Sequence, residues 1–279
     1  MSIKFEKSTE EIHKLLVEGI RRFFEPLKVK KATLGLSGGL DSAVVLVLVV
    51  EALGANNVKV LLMPSEYSTV HSVTDAVQLA DTLKVDYDIV EITPIFKEFN
   101  RSLSPIFKDK EHDVTEENLQ ARIRGTLLMS LSNKLGHILL NTSNKSELAV
   151  GYGTLYGDLC GAASVLGDVY KTQVYDLARF INRYEEVIPT NIILKAPSAE
   201  LRHDQKDSDS LPDYDKLDAI LFMLIEKAMS IEEIMKQGVD KDLLNRIVSF
   251  TKTNTFKALQ CPPIIKVSSK PLVAEYKWV

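Results

Sequence analysis

The chain has 279 residues, of which 45% are hydrophobic and 26% charged, proportions typical of a globular protein with a sizeable core. Its net charge of −4 and pI near 5.8 argue against a nucleic-acid partner, which usually requires a basic surface. The longest apolar run, residues 43–50, is too short to span a bilayer, and the N-terminus lacks the apolar segment of a secretory signal. Cys160 and Cys261 have neither zinc-like spacing nor a disulfide framework. We therefore expect a cytoplasmic protein with no membrane partner.

The N-terminal half alternates between helical and strand patterns. Ser8 and Glu11 form a capping-box pattern, and apolar residues at helical spacing then predict an amphipathic helix over 8–25. Its apolar stripe is compatible with core packing and equally with a subunit interface. Short apolar runs predict strands at 32–37, 58–63 and 86–92, with helices over 41–54 and 70–83 between them.

The C-terminal half begins with a polar segment, 104–114, that we expect to be a mobile loop. The next patterns predict a helix over 115–135, a strand over 137–141 and a helix over 171–184. Residues 201–214 are acidic and contain Pro212, which predicts an exposed loop. Two or three further helices are expected between 213 and 256.

This alternation predicts an α/β fold, a doubly wound parallel sheet that is Rossmann-like, with a C-terminal helical region. We expect a single domain over 1–279, in which residues 8–200 form the sheet core. Residues 201–214 would then be a lid and 215–279 the helical part. Because ligands bind at the carboxyl ends of the strands in such sheets, the residues after each strand are the candidates for a site.

The loop "SGGLDS" follows the first predicted strand. Gly38 and Gly39 allow the backbone to approach a ligand closely, and the N–H groups of the next helix point at the same space. Ser37 and Ser42 add hydroxyl donors. The loop therefore predicts an anion cradle, although it lacks the Gly-Lys-Ser/Thr ending of common P-loops.

Asp41 lies within this cradle, where its charge would repel a bound phosphate unless a divalent cation bridged the two. Magnesium prefers one or two carboxylates together with phosphate oxygens, so Asp41 is a candidate magnesium ligand. The alternative is that Asp41 only caps the helix.

A second polar cluster follows the strand that ends at residue 141. It includes Thr142, Ser143, Asn144 and Ser146, and Glu147 is placed to start a short helix. Glu147 is a candidate second carboxylate for the same cation, because both loops follow strands. The alternative is a helix-capping turn with a solvated glutamate.

Two sets of motifs resemble known families. The Ser-Gly-Gly-x-Asp-Ser turn resembles the pyrophosphate loop of the ATP pyrophosphatases, the PP-loop superfamily, whose fold is adenine nucleotide alpha-hydrolase-like. "NTSNKSELAVGYGTLYGD" (141–158) resembles the signature of NAD synthetases, particularly the synthetase domain of the glutamine-dependent type. The resemblance covers about residues 8–270. Further matching stretches are "ENLQARIRG" (117–125), "LKAPSAEL" (194–201), "DQKDSDSLPDYDKLDAIL" (204–221) and "CPPIIKVSSK" (261–270).

The resemblance implies the final step of NAD formation, catalysed by an ammonia-dependent ligase that acts as a homodimer. The nicotinate carboxylate of deamido-NAD attacks the α-phosphorus of ATP and releases pyrophosphate, and ammonia then displaces AMP. The implied ATP contacts are Ser37, Gly38, Gly39, Asp41, Ser42, Met63, Thr142, Lys171 and Ser198. The implied deamido-NAD contacts are Arg122, Asp158 and Lys257, with Asp158 and Lys171 as catalytic residues. Asp41 and Glu147 would hold Mg²⁺.

Three of these residues have a plainer interpretation beside the functional one. An ammonium group suits a polyphosphate, but a lysine such as Lys171 is more often a surface residue. Arg122 and Arg124 are two apart on one helix and cannot share a face, so one is expected to bind ligand and the other to be structural or to lie at an interface. The resemblance selects Arg122. Asp158 could accept a proton from ammonium or from the attacking amine, or it could only form a turn.

The chain departs from the resemblance at three places. Leu155 and Ala162 are apolar where bacterial ammonia-dependent enzymes usually carry a lysine and an acid. "NTFKALQCPP" lacks the paired arginines common after the lysine in the glutamine-dependent type. No glutaminase segment is recognised, so we expect the chain to use free ammonia or ammonia from a partner subunit. Competing hypotheses are another PP-loop ligase, a tRNA-modifying enzyme and a non-catalytic adenine-nucleotide sensor.

Overall fold

The computed structural model describes residue 3, residues 5–108 and residues 110–272. The outermost residues of the predicted 1–279 domain therefore lie outside the described part. Within that part, no helix combines the length and the apolar character needed to cross a membrane.

Five parallel strands form one sheet in the order β3-β2-β1-β4-β5. Their registers pair Ala32 with Val58 on one side of β1 and Ala32 with Ile138 on the other. The predicted doubly wound parallel sheet is confirmed. The strands are β1 (Ala32–Gly35), β2 (Val58–Leu62), β3 (Asp86–Ile89), β4 (Ile138–Asn141) and β5 (Ala163–Ser164).

Eleven α-helices are described, most of them connecting or covering these strands. They are α1 (Thr9–Phe24), α2 (Leu40–Leu53), α3 (Val70–Leu83), α4 (Thr93–Phe107), α5 (Val114–Leu135), α6 (Lys145–Val150), α7 (Lys171–Ile181), α8 (Thr190–Leu194), α9 (Tyr214–Ile225), α10 (Ile231–Lys236) and α11 (Lys241–Ala258). Two short 3-10 turns lie at 55–57 and 207–209.

The alternation of side chains along the strands produces two hydrophobic layers. In β2, Val60 and Leu62 belong to the layer beneath α1, α2, α3 and α7, whereas Leu61 belongs to the layer beneath α4 and α5. A third cluster joins α9, α10 and α11 to α6. The apolar stripe of α1 is buried in the first layer, so core packing explains it.

Local signals account for several boundaries. Ser8 and Glu11 form the predicted capping box of α1, and α3 spans the predicted residues 70–83. Gly54 adopts a φ of +83° where α2 ends, a conformation that favours glycine.

Other predictions were wrong in extent. Residues 104–107 continue α4 instead of starting a loop, with Pro105 inside the helix. The strand predicted over 86–92 ends at Ile89, and the helix predicted over 171–184 ends at Ile181. Helices α4 and α8 and strand β5 were not predicted, because these short segments take their structure from what they pack against.

The order of the strands places the site. Strand β1 lies between β2 and β4, so the chain leaves the carboxyl ends of β1 and β4 toward opposite halves of the sheet. A crevice opens at such a switch point, and ligands bind there in doubly wound sheets. The two polar clusters of the sequence follow β1 and β4.

Candidate active site

The loop after β1 is built as a cradle for an anion. Gly38 has a φ of +78°, and a Cβ there would meet the carbonyl oxygen of Ser72 at 2.1 Å, so both conformation and space require glycine. Gly39 is the N-cap of α2, and no side chain caps the helix. Because the first N–H groups of a helix have no intrahelical partner, those of α2 remain available to a ligand.

The two serines of this loop also hold its shape. Ser42 is buried and donates from Oγ to the carbonyl oxygen of Gly39 at 3.0 Å. Ser37 Oγ lies 3.1 Å from Ser42 Oγ and accepts a hydrogen bond from the N–H of Gly39 at 3.2 Å.

Asp41 lies in the first turn of α2 and is not its N-cap, so the capping alternative is wrong. One carboxylate oxygen accepts a hydrogen bond from Asn144 Nδ2 at 2.9 Å, and the other pairs with Lys171 Nζ. Residues that follow two different strands therefore meet at Asp41.

Glu147 is the third residue of α6 and completes a capping box with Asn144. Capping is therefore part of its role, but the solvated glutamate of the alternative interpretation is wrong, because the side chain is largely buried. Burial and the neighbouring Asp41 raise the pKa of Glu147 to about 8, although Lys171 opposes the shift. Two largely buried carboxylates that both contact one ammonium group favour binding of a cation.

Lys171 is buried rather than on the surface, with 3% of its area exposed. Its ammonium group pairs with Asp41 and lies 3.7 Å from Glu147 Oε1. Burial alone would lower the pKa of Lys171, but the two carboxylates raise it above its ordinary value, so the group is charged. The predicted functional lysine thus lies between the two predicted metal ligands.

A cavity of about 430 Å³ surrounds this cluster. A second, more apolar cavity of about 240 Å³ adjoins it, contains Met63 and shares four of the predicted residues: Ser37, Thr142, Asp158 and Ser198. Arg122 lines neither cavity. The predicted residues that line the larger cavity are Ser37, Gly38, Gly39, Asp41, Ser42, Thr142, Glu147, Asp158, Lys171, Ser198 and Lys257.

The two arginines of α5 face different surroundings, as their spacing predicts. Arg122 is exposed and donates from Nε to the carbonyl oxygen of Leu155 at 3.3 Å. Arg124 lines the smaller cavity and donates to the carbonyl oxygen of Met63 at 3.0 Å, and burial lowers its pKa to about 10. The hydrogen bond to Met63 fits the structural role predicted for Arg124.

Asp158 and Lys257 lie around the glycine-rich loop after α6. Lys257 donates to the carbonyl oxygens of Gly151 and Gly153, each at 2.9 Å, and burial lowers its pKa. Asp158 accepts a hydrogen bond from the N–H of Thr154, and burial raises its pKa despite the charge of Lys257. Asp158 therefore both shapes the turn and presents an acid to the two cavities.

The segment 201–214 covers one side of the larger cavity. Arg202 pairs with Glu117 of α5 at 3.2 Å, and Gln120 donates to the carbonyl oxygen of Leu201 at 2.8 Å. The prediction that the whole segment is exposed is wrong for Gln205, Asp207 and Leu211, which are buried.

Asp207 is the candidate site residue that sequence reasoning missed most clearly. Its two carboxylate oxygens accept hydrogen bonds from Tyr152 at 3.1 Å and Tyr214 at 2.9 Å, and it lines the larger cavity. Burial raises its pKa, although Lys171 opposes the shift. Its acidic, polar neighbours in the sequence gave no signal that distinguished it.

Glu200 was also missed, although it lies within a stretch that the resemblance included. It has a φ of +50° and accepts hydrogen bonds from Ser72 Oγ at 2.7 Å and from Lys195. Its own N–H donates to Ser198 Oγ at 3.1 Å. These contacts hold the segment of Ser198 against the N-terminus of α3.

A parallel sheet whose loops after β1 and β4 meet at one cavity, one of them a glycine-rich anion cradle, defines an α/β protein of the PP-loop type. A model of the NAD synthase family matches residues 12–261. The chain belongs to the NAD synthase family.

Individual relatives agree with this assignment. The glutamine-dependent NAD(+) synthetase of Synechocystis sp. is 47% identical over 262 residues, which cover 94% of this chain and 47% of that protein. The NH3-dependent NAD synthetase of Campylobacter jejuni superposes with a TM-score of 0.73 at 31% identity, covering 90% of this chain and 96% of that one. NMN synthetase of Francisella tularensis gives a TM-score of 0.78 at 26% identity, with 91% and 97% covered. The chain spans about half the length of the curated relatives it matches.

Proposed function

We propose that this chain catalyses the ATP-dependent amidation of deamido-NAD to NAD with ammonia, through an adenylated intermediate, and releases AMP and pyrophosphate. The observation that carries the proposal is Lys171, buried between Asp41 and Glu147 where the loops after β1 and β4 meet. A nucleotide sensor would have no use for a second buried carboxylate opposite the cradle.

The cradle and the two cavities support binding of ATP. The free N–H groups at the start of α2 suit the pyrophosphate of ATP, and the Lys171 ammonium lines the same cavity, where it would contact the phosphates. The smaller cavity, with Met63 among its apolar lining residues, suits the adenosine end. Ser198 and Thr142 line both cavities and would contact the nucleotide between them.

The residues of the site fit a magnesium ion. Asp41 and Glu147 offer hard oxygen ligands, and burial together with the neighbouring Asp41 raises the pKa of Glu147, so a further positive charge beside the pair would be favourable. Within the described residues, no group of three or more His, Cys, Asp or Glu is placed to hold a metal ion. Two carboxylates suffice for magnesium that also binds phosphate oxygens. When bound, the ion would neutralise charge on the phosphates during transfer.

The side of the larger cavity that is lined by Asp158 and Lys257 supports binding of deamido-NAD. The nicotinate carboxylate would attack the α-phosphorus of ATP, and the bond to pyrophosphate would break. Ammonia would then attack the adenylated carbonyl carbon, and AMP would leave. Asp158 borders both cavities, with Lys257 near it, and would take the proton that the attacking nitrogen loses.

The nitrogen source of this chain is proposed to be ammonia itself. The Synechocystis relative is glutamine-dependent, whereas the Campylobacter relative is NH3-dependent and is covered almost completely. Burial raises the pKa of the Cys160 thiol and raises that of Cys261 to about 11. Neither thiol therefore resembles the activated thiolate that a glutaminase needs.

A homodimer is proposed as the working assembly. Several large apolar side chains are exposed on and around α4 and α5, and α5 also carries the exposed Arg122. A second copy on this surface would cover them and add a wall to the deamido-NAD side of the site. Sedimentation should show dimers that dissociate in an Ile106→Asp variant, and a wild-type chain that is monomeric at every concentration would contradict this. The exposed residues are Phe99, Ile106, Met129, Leu135 and Tyr156.

We also propose that the chain forms a single domain and acts in the cytoplasm. Ile264 forms a parallel bridge with Ser164 of β5, so the C-terminal segment extends the sheet instead of forming a separate unit.

A coupled assay tests the proposed function. Purified protein receives ATP, Mg²⁺ and either an ammonium salt or glutamine freed of ammonia, together with deamido-NAD or nicotinate mononucleotide. We expect pyrophosphate and NAD only with deamido-NAD and ammonium. Turnover of the mononucleotide instead would assign the activity of the Francisella relative, and equal use of glutamine would contradict direct use of ammonia.

A further inference from the structure

Behind the site, one buried hydroxyl connects the two segments that carry Glu147 and Lys171. Ser146 Oγ accepts a hydrogen bond from the N–H of Lys171 at 2.9 Å and donates to the carboxylate of Asp218. The other oxygen of Asp218 accepts the N–H of Thr172 at 2.8 Å. Both Ser146 and Asp218 have no exposed area.

These bonds replace a missing cap. The N-cap of α7 is Tyr170, whose side chain makes no capping hydrogen bond. The first two N–H groups of α7, one buried and one partly buried, would therefore lack acceptors, and a buried unpaired polar group is costly. Instead Ser146 of α6 and Asp218 of α9 supply those acceptors from two other helices.

The position of these bonds bears on the chemistry. Ser146 directly precedes Glu147 in α6, and the N–H that it binds belongs to Lys171 itself. The backbone N–H of Lys171 is thus hydrogen-bonded to the residue that precedes Glu147. Any shift between α6 and α7 would change the 3.7 Å separation of Lys171 Nζ and Glu147 Oε1.

We propose that Ser146 and Asp218 are positioning residues that hold Lys171 and Glu147 at the separation that Mg²⁺ and the phosphates of ATP require. This inference rests on the proposed function, because it assigns the pair a task in that reaction. Neither side chain lines either cavity. Both act through the backbone of α7 and the first turn of α6. Misplacement of a catalytic group by about 1 Å can reduce the rate on the order of a hundredfold.

The test compares Ser146→Ala and Asp218→Asn with a matched control, Ser132→Ala. Ser132 is also a buried serine with a hydrogen bond, donated to the carbonyl oxygen of His137 at 2.7 Å, but it lines neither cavity. Each variant is measured for Tm, for kcat and Mg²⁺ half-saturation in the coupled assay, and for ADP binding by calorimetry with and without Mg²⁺.

We expect all three variants to lose some Tm. Ser146→Ala and Asp218→Asn should also lose roughly tenfold or more in kcat and require several-fold more Mg²⁺, with KM for deamido-NAD unchanged. Their ADP binding should lose the gain that Mg²⁺ provides to the wild type. Ser132→Ala should keep wild-type kinetics.

The inference is overturned if Ser146→Ala lowers Tm but keeps the wild-type kcat and Mg²⁺ dependence, since the hydroxyl would then be only a helix cap. Asp218→Asn is informative if it folds, and Ser146→Ala decides the matter if it does not. A wild-type chain that forms no NAD would contradict the proposed function alone. The positioning role would then be judged by calorimetry, where an unchanged effect of Mg²⁺ on ADP binding in Ser146→Ala would overturn it.

Discussion

Asn144 Nδ2 donates a hydrogen bond of 2.9 Å to Asp41 Oδ1, which joins residues 103 positions apart in the chain. Asn144 also caps α6 together with Glu147. One amide side chain therefore fixes the carboxylate that follows β1 relative to the carboxylate that follows β4. The strand order makes this possible, because β1 and β4 are neighbours in the sheet.

Asp41→Asn should abolish turnover while the fold is retained. The substitution removes a charge that faces Lys171 and the proposed cation, and the loss of such an interaction in the transition state costs on the order of a hundredfold or more. Mg²⁺-dependent binding of ATP should weaken in parallel. Glu51→Gln, at the other end of α2, is the control and should leave activity unchanged. Near-normal activity of Asp41→Asn at limiting Mg²⁺ would rule out the metal role.

The two arginines of α5 should separate into a binding residue and a structural residue. Arg122 is exposed, so Arg122→Ala should leave Tm unchanged, and because the resemblance implies that Arg122 contacts deamido-NAD, the variant should raise KM for that substrate. Arg124 is held against the carbonyl oxygen of Met63, so Arg124→Ala should lower Tm by leaving that oxygen unpaired. Kinetics and thermal unfolding of both variants check this. The reverse pattern would transfer the substrate role to Arg124.

The segment 201–214 should become protected from proteolysis when both substrates bind. Arg202 and Lys206 are exposed sites for trypsin, although Arg202 pairs with Glu117 and Asp209. An adenylate must be shielded from water, and loops that close over sites commonly do this. Cleavage at Arg101, exposed on α4, serves as the internal reference. Equal cleavage of the segment with and without ATP and deamido-NAD would contradict the lid.

NAD formation at a fixed, subsaturating ammonium concentration should rise with pH. The attacking species is neutral ammonia, whose fraction increases as ammonium loses its proton. Burial raises the pKa of Asp158, so its basic form is lost as pH falls through that raised value, and both effects act in the same direction. Asp158→Asn should require more ammonium and show a steeper pH profile, whereas Asp176→Asn, exposed on α7, should match the wild type. A flat profile for the wild type would argue against ammonia as the nucleophile.

Local patterns in the sequence determined the strand and helix alternation, the capping box of α1 and the two loops that follow β1 and β4. Each of these features depends on neighbours within a few residues. Gly38 shows how far such reasoning extends: its type indicates a close backbone approach, but only the fold shows that the approaching group is Ser72. The parallel sheet followed from alternation alone, because parallel strands need crossover helices.

Tertiary structure decided the burial and pairing of individual side chains. In the sequence, Lys171 resembles a surface lysine. The fold instead begins α7 beside two carboxylates from other segments, and those contacts make Lys171 a candidate site residue. Asp207 lies in a polar stretch but is buried by two tyrosines from different parts of the chain. Ser146 and Asp218 are 72 positions apart, and nothing local distinguishes them. Residue type and spacing report propensity and periodicity, whereas these contacts arise from the packing of distant segments.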